Sequence, residues 1–212
     1  MKKIIILGGG GTAHNVIDLL LNEQTEYYPI GFLDKKKCKN ILGIKYLGKD
    51  KILSKIKKEM QIDYAFPAIG YGKNINNRLR LDIFKKLKKF NFKIPNIISN
   101  KAFIRSNVKM GEGNLIQAGS VIDTGVVLGS NISIGINNAI GHKTIIKDHV
   151  TITGSVNLAG NLTIGEGSFL GMNCTVFRNI GKWCKISAGV SCLEQVSNFS
   201  IVLNPKAKVI KF

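Results

Sequence analysis

The feature that most constrains this chain is a ladder of aliphatic residues with a period of six. Ile104, Met110, Ile116, Ile122, Leu128, Ile134, Ile140, Ile146, Ile152, Leu158, Ile164, Leu170 and Val176 follow one another without a miss. An amphipathic helix needs apolar residues three and four apart, and an isolated strand needs them two apart, so neither explains the ladder. Gly or another small residue follows several of these positions, as at Gly111, Gly129, Gly135, Gly141, Ala159, Gly165 and Gly171. Small or β-branched residues recur four places after them, including Val108, Ser120, Val126, Ile132, Thr144, Val150, Val156, Ser168 and Cys174. The pattern predicts a triangular prism in which each hexad is one short strand and a turn, with the aliphatic side chain pointing inward. Three hexads close one coil, and coils stack through main-chain hydrogen bonds at about 4.8 Å. The ladder resumes four residues after Val176, at Ile180, Ile186 and Cys192, so two residues are missing from one turn. The tail, with Ile201, Asn204-Pro205 and Val209-Ile210, carries no repeat and is expected to close the prism.

Residues 1–95 have a different rhythm. Ile4-Ile5-Ile6-Leu7 reads as a buried strand ended by Gly8-Gly9-Gly10-Gly11, and Val16, Leu19 and Leu20 give residues 12–22 a helical spacing. Ile30-Gly31-Phe32-Leu33, ending at Asp34, and Tyr64-Ala65-Phe66 are further strands. Residues 50–60 and 74–90 read as amphipathic helices. Strands alternating with helices predict a small parallel sheet covered by helices. The chain is therefore expected to hold two domains, residues 1–95 and 96–212.

Composition narrows the function. The formal net charge is +18. However, the lysines gather on helix faces, as in Lys55-Lys57-Lys58 and Lys85-Lys86-Lys88-Lys89, with few aromatics between them. A solvated surface is favoured over a nucleic-acid site, and a positive field suits a small phosphate-bearing substrate. No run of eighteen apolar residues is present, so no membrane insertion is expected. The apolar run at the N-terminus is too short for a signal peptide and opens into the glycines, which predicts a cytoplasmic protein. Cys38, Cys174, Cys184 and Cys192 lack metal-binding spacing and are expected as reduced core or loop thiols. His14, His142 and His149 are not grouped with them, so no metal site is expected.

The hexad ladder together with Gly8-Gly9-Gly10-Gly11, Gly31-Phe32-Leu33-Asp34, Ala68-Ile69-Gly70, Gly141-His142, Leu158-Ala159-Gly160-Asn161 and Phe169-Leu170-Gly171-Met172-Asn173 resembles the hexapeptide-repeat acyltransferases. More narrowly, the chain resembles the bacterial bacillosamine and perosamine N-acetyltransferases and the sialic acid O-acetyltransferases. The resemblance implies an α/β Rossmann-like N-terminal domain followed by a left-handed parallel β-helix. It implies transfer from acetyl-CoA to the amino group of a nucleotide-linked 4-amino-4,6-dideoxy sugar, carried by UDP, GDP or dTDP, within a homotrimer. O-acetylation of a sialic-acid-like sugar and a non-catalytic nucleotide-sugar-binding scaffold are the alternatives. Redox chemistry on NAD is disfavoured, because the first domain is too short for a full dinucleotide fold.

By the same resemblance His142 is the general base. The prism supplies a separate reason to single it out: residues eighteen apart stack, so Thr124, His142 and Gly160 share one column. A bare glycine beside an imidazole leaves room for a thioester and offers an N–H to a developing oxyanion. The position after the histidine, where relatives carry Asp or Glu, is Lys143, which leaves Asn137, Asn138, Asp123 or a neighbouring subunit to orient the ring. Thr151 stands where relatives have a second histidine near the thioester, and His149 is expected at the surface. The resemblance places acetyl-CoA against Thr151, Gly160, Met172, Ala188 and Gly189, and near Asn204-Pro205. It places the nucleotide-sugar against Gly10, Gly11, Thr12, Asp34, Gly70 and Tyr71. On its own the glycine cluster reads equally as a phosphate cradle or a tight structural turn.

Overall fold

The structure, a computed structural model, describes residues 1–23, 25–71 and 78–204. Expectations for Pro205, for Val209-Ile210 and for the start of the 74–90 helix fall outside the described residues. The first domain is a four-stranded parallel sheet in the order β3-β2-β1-β4, from β1 (Lys2–Leu7), β2 (Tyr27–Leu33), β3 (Tyr46–Gly48) and β4 (Tyr64–Pro67). Three helices accompany it: α1 (Gly11–Asn22), α2 (Leu53–Glu59) behind a 3-10 turn at Asp50–Ile52, and α3 (Arg78–Lys89). Ile4, Ile5, Ile6 and Leu7 are wholly buried, because a strand with neighbours on both edges and helices on its faces has no exposed side. Strand order reverses between β1 and β4, and such a switch point opens a crevice at the strands' C-terminal ends. The short β3 was not anticipated: Tyr-Leu-Gly carries no periodic signal.

From Ile97 onward the chain is a left-handed parallel β-helix with three faces. The first face stacks seven two-residue strands, Ile97–Ile98, Leu115–Ile116, Ser133–Ile134, Thr151–Ile152, Phe169–Leu170, Lys185–Ile186 and Ile201–Val202. The second runs from Phe103–Ile104 to Ser191–Cys192, and the third from Lys109–Met110 to Thr163–Ile164. Every ladder residue is the second residue of its strand, and partners on adjacent rungs are eighteen apart, as in Ile134↔Ile152 and Ile140↔Leu158. The positions four later are also interior: Ser120, Val126, Thr144, Val156, Ser168 and Cys174 are fully buried. Their hydroxyls are used, since Ser120, Thr144 and Ser168 donate to the carbonyls of Gly135, Ala159 and Gly181 at 2.7–3.0 Å. Cys174, Cys184 and Cys192 belong to this core, and burial pushes the Cys174 thiol up to about 12.

The predicted two-residue deletion is present, and it occurs twice. Leu170 pairs with Ile186 and Val176 with Cys192, sixteen residues on, and the bridges Ile164↔Ile180 and Ile180↔Val196 repeat that spacing. Both shortened turns, 177–179 and 193–195, lie on the edge joining the second face to the third. Ile201 does not belong to a patternless tail; Ile201–Val202 is a rung paired with Lys185–Ile186. The turns share a rule that the sequence concealed. The third residue after most ladder positions has positive φ, between +54° and +72°, from Asn107 through Asn131, Lys143, His149 and Asn161 to Trp183 and Phe199. That left-handed residue turns the corner; Asn and Gly take it readily, whereas Lys, His, Trp and Phe take it at a cost.

Candidate active site

The glycines after β1 have two separate duties. Gly8 has φ +123°, and a Cβ there would lie 2.4 Å from the Ala68 carbonyl oxygen, so packing demands glycine. Around Gly10 and Gly11 the space is open, and a Cβ added at either would meet nothing within 4 Å. The N-terminus of α1 has no side-chain cap, and the Ala13 and His14 N–H groups both bond to the Gly10 carbonyl. Among the described residues the Gly11 and Thr12 N–H groups have no partner, which leaves donors and the positive end of the helix facing open space. Thr12 lies against Gly70, whose added Cβ would stand 2.6 Å from Thr12 Oγ1. Asp34 holds this loop: its carboxylate accepts from the Gly9 and Lys36 N–H groups, each at 2.8 Å.

These residues line a cleft of about 950 Å³ between the first domain and the β-helix. Gly10, Gly11, Thr12, Asp34, Gly70 and Tyr71 form one wall; Thr151, Met172, Ser133 and Gln117 belong to the other. The second wall is the first face and its edge toward the second face. Tyr71 rests on Phe169 with ring centroids 4.8 Å apart, and Glu23 accepts from Ser99 Oγ at 2.9 Å. Ala188 and Gly189 continue the Met172 edge upward, with Gly189 N–H bonded to the Met172 carbonyl at 2.8 Å.

His142 is not in this cleft. It projects, exposed, from the edge between the second and third faces. The predicted column is there: Lys143 N–H bonds to the Thr124 carbonyl and Asn161 N–H to the His142 carbonyl. The imidazole lies directly on Gly160, where a Cβ would come within 2.6 Å of Cε1 and Nε2. Only glycine allows that approach. The Gly160 N–H has no partner among the described residues, so an open donor sits beside the ring. One chain therefore brings Thr151, Met172, Ala188 and Gly189 to one region, and His142 with Gly160 to another. Both regions border the second face.

Of the residues expected to orient the imidazole, Asn138 and Asp123 are otherwise engaged, and Asn137 is exposed at the edge between the first and second faces rather than at the His142 edge. Asn138 is buried, donating to the Gly135 carbonyl and accepting from Val156 N–H, each at 2.8 Å. Asp123 pairs with Arg105 at 3.3 Å and accepts from Thr124 N–H. Among the described residues no carboxylate contacts His142. His149 is a correction: it is 9% exposed, 2.9 Å from the Asn131 amide through Nδ1, and its ring meets Phe84 edge-on. Burial is the largest influence on it and holds its pKa below the usual histidine value.

Sequence reading missed Arg80. This α3 residue is 4% exposed and reaches the β-helix, donating through Nη1 to Thr151 Oγ1 at 2.8 Å and through Nη2 to the His149 and Val150 carbonyls at 2.8 and 3.0 Å. It borders the same cleft. Two arginines opening a lysine-rich helix look like solvated surface, and only the docking of α3 along the third-to-first edge sets Arg80 apart.

The N-terminal region matches the PglD N-terminal domain family over residues 3–87. No curated protein matches the chain. Among solved structures, PerB from Caulobacter crescentus in complex with CoA and GDP-perosamine is similar with a TM-score of 0.85 at 26% identity, covering 95% of this chain and 93% of that one. The acetyltransferase domain of PglB from Neisseria gonorrhoeae FA1090, in complex with acetyl coenzyme A, has a TM-score of 0.84 at 24% identity and covers 99% of each chain. WeeI from Acinetobacter baumannii AYE has a TM-score of 0.78 at 19% identity, covering 99% of this chain and 100% of that one. The PglD-type first domain, the hexad solenoid and the end-to-end likeness to PerB together show that the chain has the two-part fold of the hexapeptide-repeat sugar acetyltransferases.

Proposed function

We propose that this protein transfers the acetyl group of acetyl-CoA to the amino group of a nucleotide-linked 4-amino-4,6-dideoxy sugar, for the biosynthesis of surface glycans or glycoproteins. The observation that carries the reading is the exposed His142 imidazole lying against Gly160, with the glycine N–H open beside it. The amine nitrogen bonds to the acetyl carbon while His142 takes the proton; the C–S bond breaks, and the proton returns to the thiolate of CoA. In this reading the Gly160 N–H donates to the negative charge that develops on the acyl oxygen. Residues 1–95 act as the nucleotide-sugar domain, with the open N–H groups of Gly11 and Thr12 taking phosphate and Asp34 facing the nucleoside. Residues 96–212 carry the transfer. Binding of CoA and GDP-perosamine by PerB supports both halves of this reading.

The active unit is a trimer. If the second faces of three prisms surround a threefold axis, the edge bearing His142 of one chain meets the cleft edge of the next. Phe103 and Val121, exposed on that face, would be covered. Acetyl-CoA then lies between chains, against Thr151, Met172, Ala188 and Gly189 of one and Gly160 of the other. The two shortened turns above Gly160 cut back that edge and leave width for the pantetheine arm.

The test is thiol release from acetyl-CoA with UDP-, GDP- and dTDP-linked 4-amino sugars and with sialic acids. Release with an amino sugar, abolished in His142→Ala, supports the reading. Release with sialic acid alone replaces it with O-acetylation, and nucleotide-sugar binding without release replaces it with a scaffold.

A further inference from the structure

Arg80 is a buried charge without a counter-charge among the described residues. Its three hydrogen bonds go to a hydroxyl and two carbonyls, all neutral. None of the ion pairs among the described residues includes it, and neither residues 72–77 nor 205–212 contain an Asp or Glu. Its Nε is buried without a partner. Burial lowers its pKa to about 10, which still leaves it fully charged at neutral pH. A buried guanidinium without an anion destabilises a fold, and an apolar side chain between Ile83, Phe84 and the β-helix would cost less. Such a group is retained where its charge does something else.

What it faces is the cleft, at the rung of Thr151. We propose that Arg80 is a positioning residue: through Thr151 it keeps an uncompensated positive charge beside the reacting groups, which stabilises the negative charge developing on the acyl oxygen. This rests on the acetyl-transfer reading above. That charge appears as the nitrogen–carbon bond forms and disappears as the C–S bond breaks, so a fixed cation in a dry wall acts on the transition state more than on either bound substrate. The low local dielectric makes a charge effective that would be screened in water.

Arg80→Met and Arg80→Lys in the full-length chain test this, with melting temperature, kcat and both KM values measured for each. Arg80→Met is expected to melt within about 3 °C of wild type or above it, because a charge without a counter-ion is removed. Its kcat is expected to fall about 30- to 100-fold with both KM values within about threefold, and Arg80→Lys to recover about tenfold of that loss. A merely structural strut predicts the reverse: a large drop in melting temperature, with no rescue by lysine. That result, an unchanged kcat in Arg80→Met, or a loss confined to KM would overturn the inference. A wild type that releases no thiol with any acceptor sinks the functional reading and this inference with it. An active wild type with an indifferent Arg80→Met sinks the inference alone.

Discussion

His142 and Gly160 were legible from the sequence because their meeting is arithmetic: two residues eighteen apart in a three-hexad coil must stack. Since His142 is exposed and its backbone role belongs to any residue, His142→Ala is expected to leave the melting temperature unchanged. It should lower kcat about 10²- to 10⁴-fold, the usual contribution of a general base. Gly160→Ala should do comparable damage by steric means, as its methyl would displace the ring. His149 was misread because its burial depends on Phe84 from another domain, which no local pattern announces. Its pKa is lowered in the folded state, chiefly by burial, so below its ordinary value of about 6.5 the unfolded chain binds the extra proton first. The stability it contributes is complete above that pH and is lost as pH falls through the lower folded value. His149→Asn, which tolerates the φ of +64° at this corner, should therefore give a flatter melting temperature between pH 7 and 5. A steeper acid-side decline in the variant would refute the assignment.

At the scale of elements, the faces of the prism were readable and its corners were not. Inward positions admit only aliphatic residues, because each rung closes over the last, and the ladder shows that restriction directly. Removing one such side chain leaves a hole that neighbouring rungs cannot fill by relaxing. Ile134→Ala, at a fully buried site, is expected to cost about 2–5 kcal/mol in urea unfolding. Corner positions obey a backbone rule instead, positive φ, and several side chains satisfy it with different strain. The sequence therefore shows Asn, Gly, Lys, His, Trp and Phe at one structural position and hides the regularity. Lys143→Asn should relieve strain and stabilise the fold by about 0.5–1 kcal/mol; a destabilised variant would mean that Lys143 packs usefully over Gly125. The α/β half was legible where strands are long and buried. It was not at β3, whose place is fixed by pairing with Phe32 and Leu33 rather than by its own residues.

At the scale of the molecule, α3 joins the two halves. It runs along the third-to-first edge, with the Arg78 guanidinium 5.7 Å from the Trp183 ring, Arg80 on Thr151, Phe84 on His149 and Lys88 paired with Glu112 at 2.6 Å. This docking sets the cleft over the first face, and the same geometry keeps the cleft away from the His142 edge of its own chain. The proposed trimer would then assemble the site from two subunits, which can be tested by mixing dead chains. His142→Ala removes the proposed base but keeps an intact cleft, whereas Gly11→Trp fills the open space at α1 and keeps the imidazole. In a trimer containing both kinds of chain, one of the three junctions unites an intact cleft with an intact histidine. Equal amounts, unfolded and refolded together, should therefore regain about a quarter of wild-type activity per site. Neither variant refolded alone should regain any. A mixture as inactive as its components, with native mass spectrometry showing mixed trimers, would place the whole reaction within one chain and contradict the edge geometry.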